Sequence, residues 1–209
     1  MIKAPLCATI PSFAINVGIF FSVNEYNRRF FVEQLLPFYK DVVPKLAGGK
    51  QAASSSSSSD SAKLQSLISP TIIPWGTTRY DANSSPSFTC VGANECYANR
   101  LFACADYFHG TEPRARLHLV EFALCFFVRN VSLEDVEAVR DVAKECANLI
   151  WIPDPFPQLD DCATGNTTEA VNIYLRMKEK TENNHPALTS CKCSLAFWLH
   201  NNKILPVFV

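Results

Sequence analysis

Apolar and polar positions alternate in recognisable periods along most of the chain. Residues 14–22, with "INVGIFF" at the centre, form a short apolar run without helical periodicity and predict a buried strand. The next segment places Tyr26, Phe30, Phe31, Leu35 and Phe38 on one side of a helix. Asn24 is its predicted N-cap, Glu25 lies in its first turn, and Pro37 is expected to kink it. "LQSLISPTIIPWG" predicts a second strand ending in a turn at Pro74-Trp75-Gly76, and "YDANSSPSFT" predicts loop. Three helical patterns come next, over 97–109, 113–129 and 133–149. The middle one is almost wholly apolar from Leu117 to Val128 and should lie deep. The last carries a stripe of Leu133, Val136, Val139, Val142, Cys146 and Leu149 behind Ser132 and Asp135, which are spaced as a capping box.

The three prolines of "WIPDPFPQLDD" predict an irregular connection. A helix is expected after Asn166, through Ala170, Val171, Tyr174 and Met177, ending before His185-Pro186. "SLAFWLHNNKILPVFV" predicts a hairpin turning at Asn201-Asn202. Between the first helix and second strand, residues 48–63 include six consecutive serines and are too polar to fold, so they are expected to form a disordered inserted loop.

Composition narrows the functional classes. The chain has 209 residues, 48% apolar, enough for one sizeable core. A net charge of −1 with 19% charged residues gives no basic surface for nucleic acid or anionic membrane. No apolar run reaches the roughly 20 residues that span a bilayer. The apolar N-terminal segment is interrupted by Pro5, Pro11 and Asn16, and is expected to be a mature N-terminus whose signal peptide is not part of the sequence.

Nine cysteines without C-x-x-C or zinc-type spacing point to disulfides in an oxidising compartment. The candidates are Cys7, Cys90, Cys96, Cys104, Cys125, Cys146, Cys162, Cys191 and Cys193. Their number is odd, so one thiol stays free or pairs between chains, and sequence leaves the connectivity open. Cys125 and Cys146 are read either as inert buried thiols or as bridges from the helical block to the rest of the fold. Sequons at Asn83, Asn130 and Asn166 agree with secretion. His109, His118, His185 and His200 form no catalytic or metal pattern, and no cofactor motif is present. Arg28-Arg29 is read as solvated charge on the exposed side of the first helix.

One stretch carries a resemblance. In "CVGANECYANRLFAC" (90–104), Cys90, Glu95-Cys96, Asn99 and Cys104 are similar to the signature of the GILT family, the interferon-inducible lysosomal thiol reductases. The first loop is one residue shorter than in vertebrate members, and Val91-Gly92-Ala93 replaces their Q-H-G. "FFVEQLLPFY" and "IIPWG" resemble the family's active-site helix and V-P-Y-G turn, while Cys125, Cys146 and Cys162 fall where later family cysteines lie. The resemblance spans about 14–203. The serine tract resembles arthropod, including mosquito, members.

The resemblance implies an α/β, thioredoxin-like fold, βαβ…αββ, in a single domain over 1–209, with a disulfide-stabilised helical insertion over 90–162. It also implies a reductase C-x-x-C where this chain has Asn24 and Asn27, and a cis-proline where it has Ala196. A non-proline cis bond costs about 2.5–4 kcal/mol, and an amide neither ionises near neutral pH nor attacks a disulfide. The expectation is therefore a secreted or lysosomal pseudoenzyme that binds a protein or cell-surface partner through a groove at Tyr26, Asn27 and Ala196, most simply as a monomer, in host defence. Two other readings stay open: thiol exchange at a relocated Cys191/Cys193 pair, and a disulfide-linked oligomer.

Overall fold

The computed structural model describes residues 15–42, 68–84, 87–92, 94–111, 113–151, 153–184, 196–199 and 203–205. The serine tract, Cys7, Cys191, Cys193, His185 and His200 lie outside the described residues. Helices predominate, with two small sheets and three disulfides. Strand β1 (Ile15–Phe20) pairs in parallel with β2 (Ile68–Ile73) and antiparallel with β5 (Ala196–Leu199), which pairs antiparallel with β6 (Lys203–Leu205). The sheet order is β2-β1-β5-β6, with β1 central. The apolar runs at 14–22, 64–76 and 194–209 therefore supply the strands that their pattern predicts.

Helix α1 (Glu25–Phe30) starts at Asn24, whose side chain accepts from the Asn27 backbone N–H. It continues as two π-helical segments, Phe31–Leu35 and Phe38–Val42, on either side of Leu36 and Pro37. Each residue added to a helical turn rotates the later residues by roughly 100°, so the buried face moves out of its 3.6-residue period. Phe30, Phe31 and Leu35 are buried as expected, but Phe38 is 43% exposed and Tyr39 packs inward in its place. The Tyr39 hydroxyl donates to Glu121 at 2.5 Å.

The residues expected as loop over 80–89 contain a short hairpin, β3 (Arg79–Tyr80) against β4 (Phe88–Thr89). Tyr80 and Phe88 pair across it with ring centroids 5.1 Å apart, and Phe88 lies 4.8 Å from Tyr174. Aromatic packing thus orders a segment whose polar residues signal only turns.

Four helices come next, as expected in number and place: α2 (Glu95–His109), α3 (Pro113–Val128), α4 (Val136–Ile150) and, after one more element, α6 (Thr168–Asn184). Helix α3, apolar nearly all round, packs against β2, α2, α4 and the first π segment. Phe21, Phe31, Phe102 and Phe127 meet there, Phe31 stacked on Phe127 at 4.2 Å and Phe21 edge-on to Phe31 at 5.1 Å.

Two details of α4 differ from expectation. Asp135 is itself the N-cap, accepting from Glu137 N and Ala138 N at 3.0 and 3.2 Å, so no Ser132–Asp135 capping box forms and the helix starts three residues later. Of the stripe, Val139 and Cys146 are buried, while Leu149 is 67% exposed near the helix end. The stretch 151–161 is likewise not irregular throughout, because it leads into α5 (Phe156–Thr164). Pro155 and Pro157 occupy its N-terminal boundary and first turn, where an absent N–H costs nothing. The Asp154 side chain accepts from Phe156 N at 2.9 Å.

The disulfides staple these helices. Cys90–Cys96 closes the loop before α2, Cys104–Cys162 ties α2 to α5, and Cys125–Cys146 ties α3 to α4. Cys125 and Cys146 are thus neither inert thiols nor bridges to the sheet. No described helix is long and apolar enough to cross a membrane.

Candidate functional site

The corner between β1 and α1 is built from three separate pieces of chain. Ser22, Val23 and Asn24 turn the backbone, the 74–78 turn after β2 lies against them, and the first turn of α2 closes the third side. Gly76 makes that approach possible. Its φ is +44°, and a Cβ there would lie 2.2 Å from the Ser22 Cβ, so the "PWG" turn tolerates no side chain at this position.

Two residues of the sequence motif hold the corner together. Glu95 is 1% exposed, and its carboxyl group accepts from the Ser22 hydroxyl, from the Thr77 hydroxyl at 2.7 Å, from the Asn24 side-chain amide at 3.5 Å and from Gly92 N at 2.9 Å. Asn99 is fully buried. Its carbonyl oxygen accepts from Val23 N at 2.7 Å, and its amide donates to the Ser22 hydroxyl at 2.8 Å. The Thr78 hydroxyl lies 2.6 Å from that of Tyr174, whose burial pushes its pKa well above the ordinary phenol value. A buried polar group without partners costs several kcal/mol, so this network fixes the corner only because its members satisfy one another. The sequence singled out Glu95 and Asn99 through their motif. Ser22, Thr77 and Thr78 carry no sequence signal, because short polar residues at turns are common, and the periodicity that marks Tyr174 as a helix residue gives no sign of its hydroxyl's partner.

Asn24 and Asn27 stand one helical turn apart at this corner. The Asn24 side-chain oxygen accepts from Asn27 N at 3.0 Å, and the Asn27 amide donates to the Ser22 carbonyl at 2.8 Å. Asn27 is 1% exposed and its side-chain oxygen has no hydrogen-bond partner among the described residues. Its side chain therefore faces inward and does not line an open groove. Ala196, the first residue of β5, is in register with Phe20 at the same end of the sheet. Tyr26 lies in α1 one residue before Asn27.

An open cleft of about 460 Å³ lies beside the corner instead. It is lined by Val23, Asn24, Glu25 and Arg28, by Phe126 and Phe127 at the end of α3, and by the connection from Asn130 to Glu134. Arg28, read from the sequence with Arg29 as solvated charge, lines this cleft and pairs with Glu25 at 3.1 Å, while Arg29 is exposed outside it. The periodicity of α3 marks Phe126 and Phe127 as core but gives no sign that a cleft opens beside them.

The remaining candidates lie apart. Asn83, Asn130 and Asn166 are all exposed, and Asn130 has a φ of 52° in the turn after α3. His118 is exposed on α3, and His109 stacks on Trp151 at 5.1 Å with its pKa lowered by burial.

Comparison with curated proteins returns no match. A family model described as gamma interferon inducible lysosomal thiol reductase matches residues 16–150, which takes in the corner, the 74–78 turn, the Cys90–Cys104 motif and helices α2 to α4. The chain belongs to the GILT family, a family of thiol reductases, and it brings asparagine rather than cysteine to the start of α1.

Proposed function

We propose that this chain is a secreted, glycosylated family member that performs no thiol–disulfide exchange at its β1–α1 corner and acts by holding an extended polypeptide in the cleft beside it. The observation that carries the reading is the hydrogen bonding of Asn24 and Asn27. Both side chains serve the backbone, as N-cap and as donor to Ser22 O, and neither can form a thiolate or a mixed disulfide. A thioredoxin-like frame is supported by the β2-β1-β5-β6 order, with β1 and β2 parallel and an antiparallel hairpin completing the sheet. The frame is one domain, and its cysteine-bearing helices belong to an insertion over 90–162.

The cleft suits a peptide better than a small polar metabolite. Its accessible apolar lining comes from half-buried Val131 and Leu133, backed by the buried Val23, Phe126 and Phe127, while Glu25, Arg28 and Glu134 supply charges of both signs. That combination accepts an apolar side chain with flanking backbone. Family context supports a use of this binding in host defence or the handling of foreign proteins.

The test uses the purified full chain in insulin disulfide reduction at acidic and neutral pH, beside a C-x-x-C reductase. No turnover is expected. Fluorescence anisotropy with a reduced, carboxymethylated polypeptide should show saturable binding that weakens about tenfold in Arg28→Glu/Leu133→Asp, as loss of a central contact commonly does. Insulin turnover at the reductase's rate overturns the reading, and so does binding that the double substitution leaves unchanged.

A further inference from the structure

Of the three sequons, only that of Asn130 borders the cleft. Asn130, Val131 and Ser132 all line it, together with Asn24, Glu25 and Arg28. Asn83 lies in the loop of the β3–β4 hairpin, where its N–H donates to Asp81, and Asn166 lies between α5 and α6; neither lines the cleft.

The turn that carries Asn130 is exposed yet anchored. Asn130 is in the left-handed conformation that asparagine tolerates at the end of a helix, and both it and Ser132 are exposed. Val131 and Leu133 are half-buried against the core, and the Asn94 amide donates to the Leu133 carbonyl at 2.8 Å, fastening the connection to the start of α2. A group attached at Asn130 is thus rooted at a fixed point on the cleft rim.

We infer that Asn130 carries an N-linked glycan and that this glycan roofs the cleft, admitting an extended peptide or small molecule to the corner while excluding a folded protein surface. The inference rests on the secretory reading above. In the transfer, the Asn130 side-chain nitrogen bonds to the anomeric carbon of the sugar. The bond from that carbon to the diphosphate oxygen of a lipid-linked oligosaccharide breaks, the lipid diphosphate leaves, and the amide nitrogen loses one proton. The first sugars stand over an opening that Glu25 and Arg28 of α1 also line, a bulky and hydrated obstacle where the bare protein has none.

The experiment secretes the full chain from a eukaryotic cell behind a supplied leader and reads occupancy of each sequon by peptide mass spectrometry. Glu25→Cys then reports cleft access and Asn172→Cys, exposed on α6, serves as reference. Each is labelled with a small maleimide and a polymer-linked maleimide, after subtraction of the parent's own labelling. The ratio of bulky to small labelling at position 25 should be about fivefold lower than at position 172, as expected for shielding by a bulky glycan. Enzymatic removal of the glycan, or Ser132→Ala, should restore it. Equal ratios with Asn130 occupied overturn the roof. An unoccupied Asn130 beside occupied Asn83 or Asn166 overturns the inference while leaving secretion intact, and three empty sequons count against both.

Discussion

At the scale of single residues, the corner is held by Glu95 and Asn99 of the Cys90–Cys104 motif and carries asparagine at positions 24 and 27. Glu95 and Asn99 hold Ser22, Val23 and Asn24 in place, and the Asn24 side chain is itself one of the donors to Glu95. Their part was legible as a motif, but what they bind was not, since Ser22 and Val23 lie more than 70 residues away in sequence. If the corner retains reductase geometry, Asn24→Cys/Asn27→Cys should form a bridging pair under mild oxidant, and its more exposed thiol should titrate below the free value of about 8.5 because the helix N-terminus favours the thiolate. Gel shift with a thiol reagent reads the pair, and introduced cysteines that stay reduced would count against the corner's assignment. Full insulin reductase activity should also require Ala196→Pro. His109 supplies a second residue-scale expectation. Burial beside Trp151 lowers its pKa, and its Nε2 is buried without a partner among the described residues, so the folded state binds its proton less readily than the unfolded chain. Its contribution is complete above the unfolded value of about 6.5 and is lost as pH falls through the lower folded value. His109→Phe, which keeps an aromatic ring against Trp151, should flatten the fall of Tm with acidification over that window.

At the scale of elements, hydrophobic period located the strands and the long helices, because each buries a continuous face. It failed where local chemistry altered the period. The π segments around Pro37 rotated Phe38 outward, prolines at the start of α5 looked like loop although a first turn accepts them, and cross-strand aromatics ordered a hairpin too short to show alternation. The cysteines were legible only as a class. Their pairing depends on helix packing, which brings Cys104 to Cys162 and Cys125 to Cys146 across separations of 58 and 21 residues, whereas Cys90 and Cys96 are six apart. Loop-closure entropy makes the pairs unequal: at these separations the chain-entropy relation gives about 4 kcal/mol for 104–162, about 3 for 125–146 and about 2 for 90–96. Alanine pairs at each bridge, compared by urea denaturation, should follow that order. A larger loss at 90–96 would mean that the bridge works chiefly by holding Glu95 and Gly92 in the corner network.

At the scale of the whole molecule, the question is how the chain disposes of an odd number of thiols. Six of the nine cysteines are consumed inside the helical block, leaving Cys7, Cys191 and Cys193 for the two ends of the chain. A bridge between neighbours in C-x-C is strained by disulfide geometry, so the pairing expected of these three joins Cys7 to Cys191 or Cys193 and leaves a single thiol. Such a bridge would tie the segment before β1 to the segment before β5, and β1 and β5 are already neighbours in the sheet. Alkylation of the denatured, unreduced protein should then add one label per chain by intact mass, with monomer mobility on a non-reducing gel. Zero labels at doubled mass would establish the disulfide-linked oligomer in place of the monomer. Three labels would leave Cys191 and Cys193 both reduced and available for exchange. Cys191→Ser/Cys193→Ser separates a structural from a catalytic use of the pair: the structural one lowers stability by about 2–5 kcal/mol and leaves insulin reduction at its wild-type level. Loss of a measurable reductase activity at unchanged Tm would transfer the redox chemistry from the β1–α1 corner to Cys191 and Cys193.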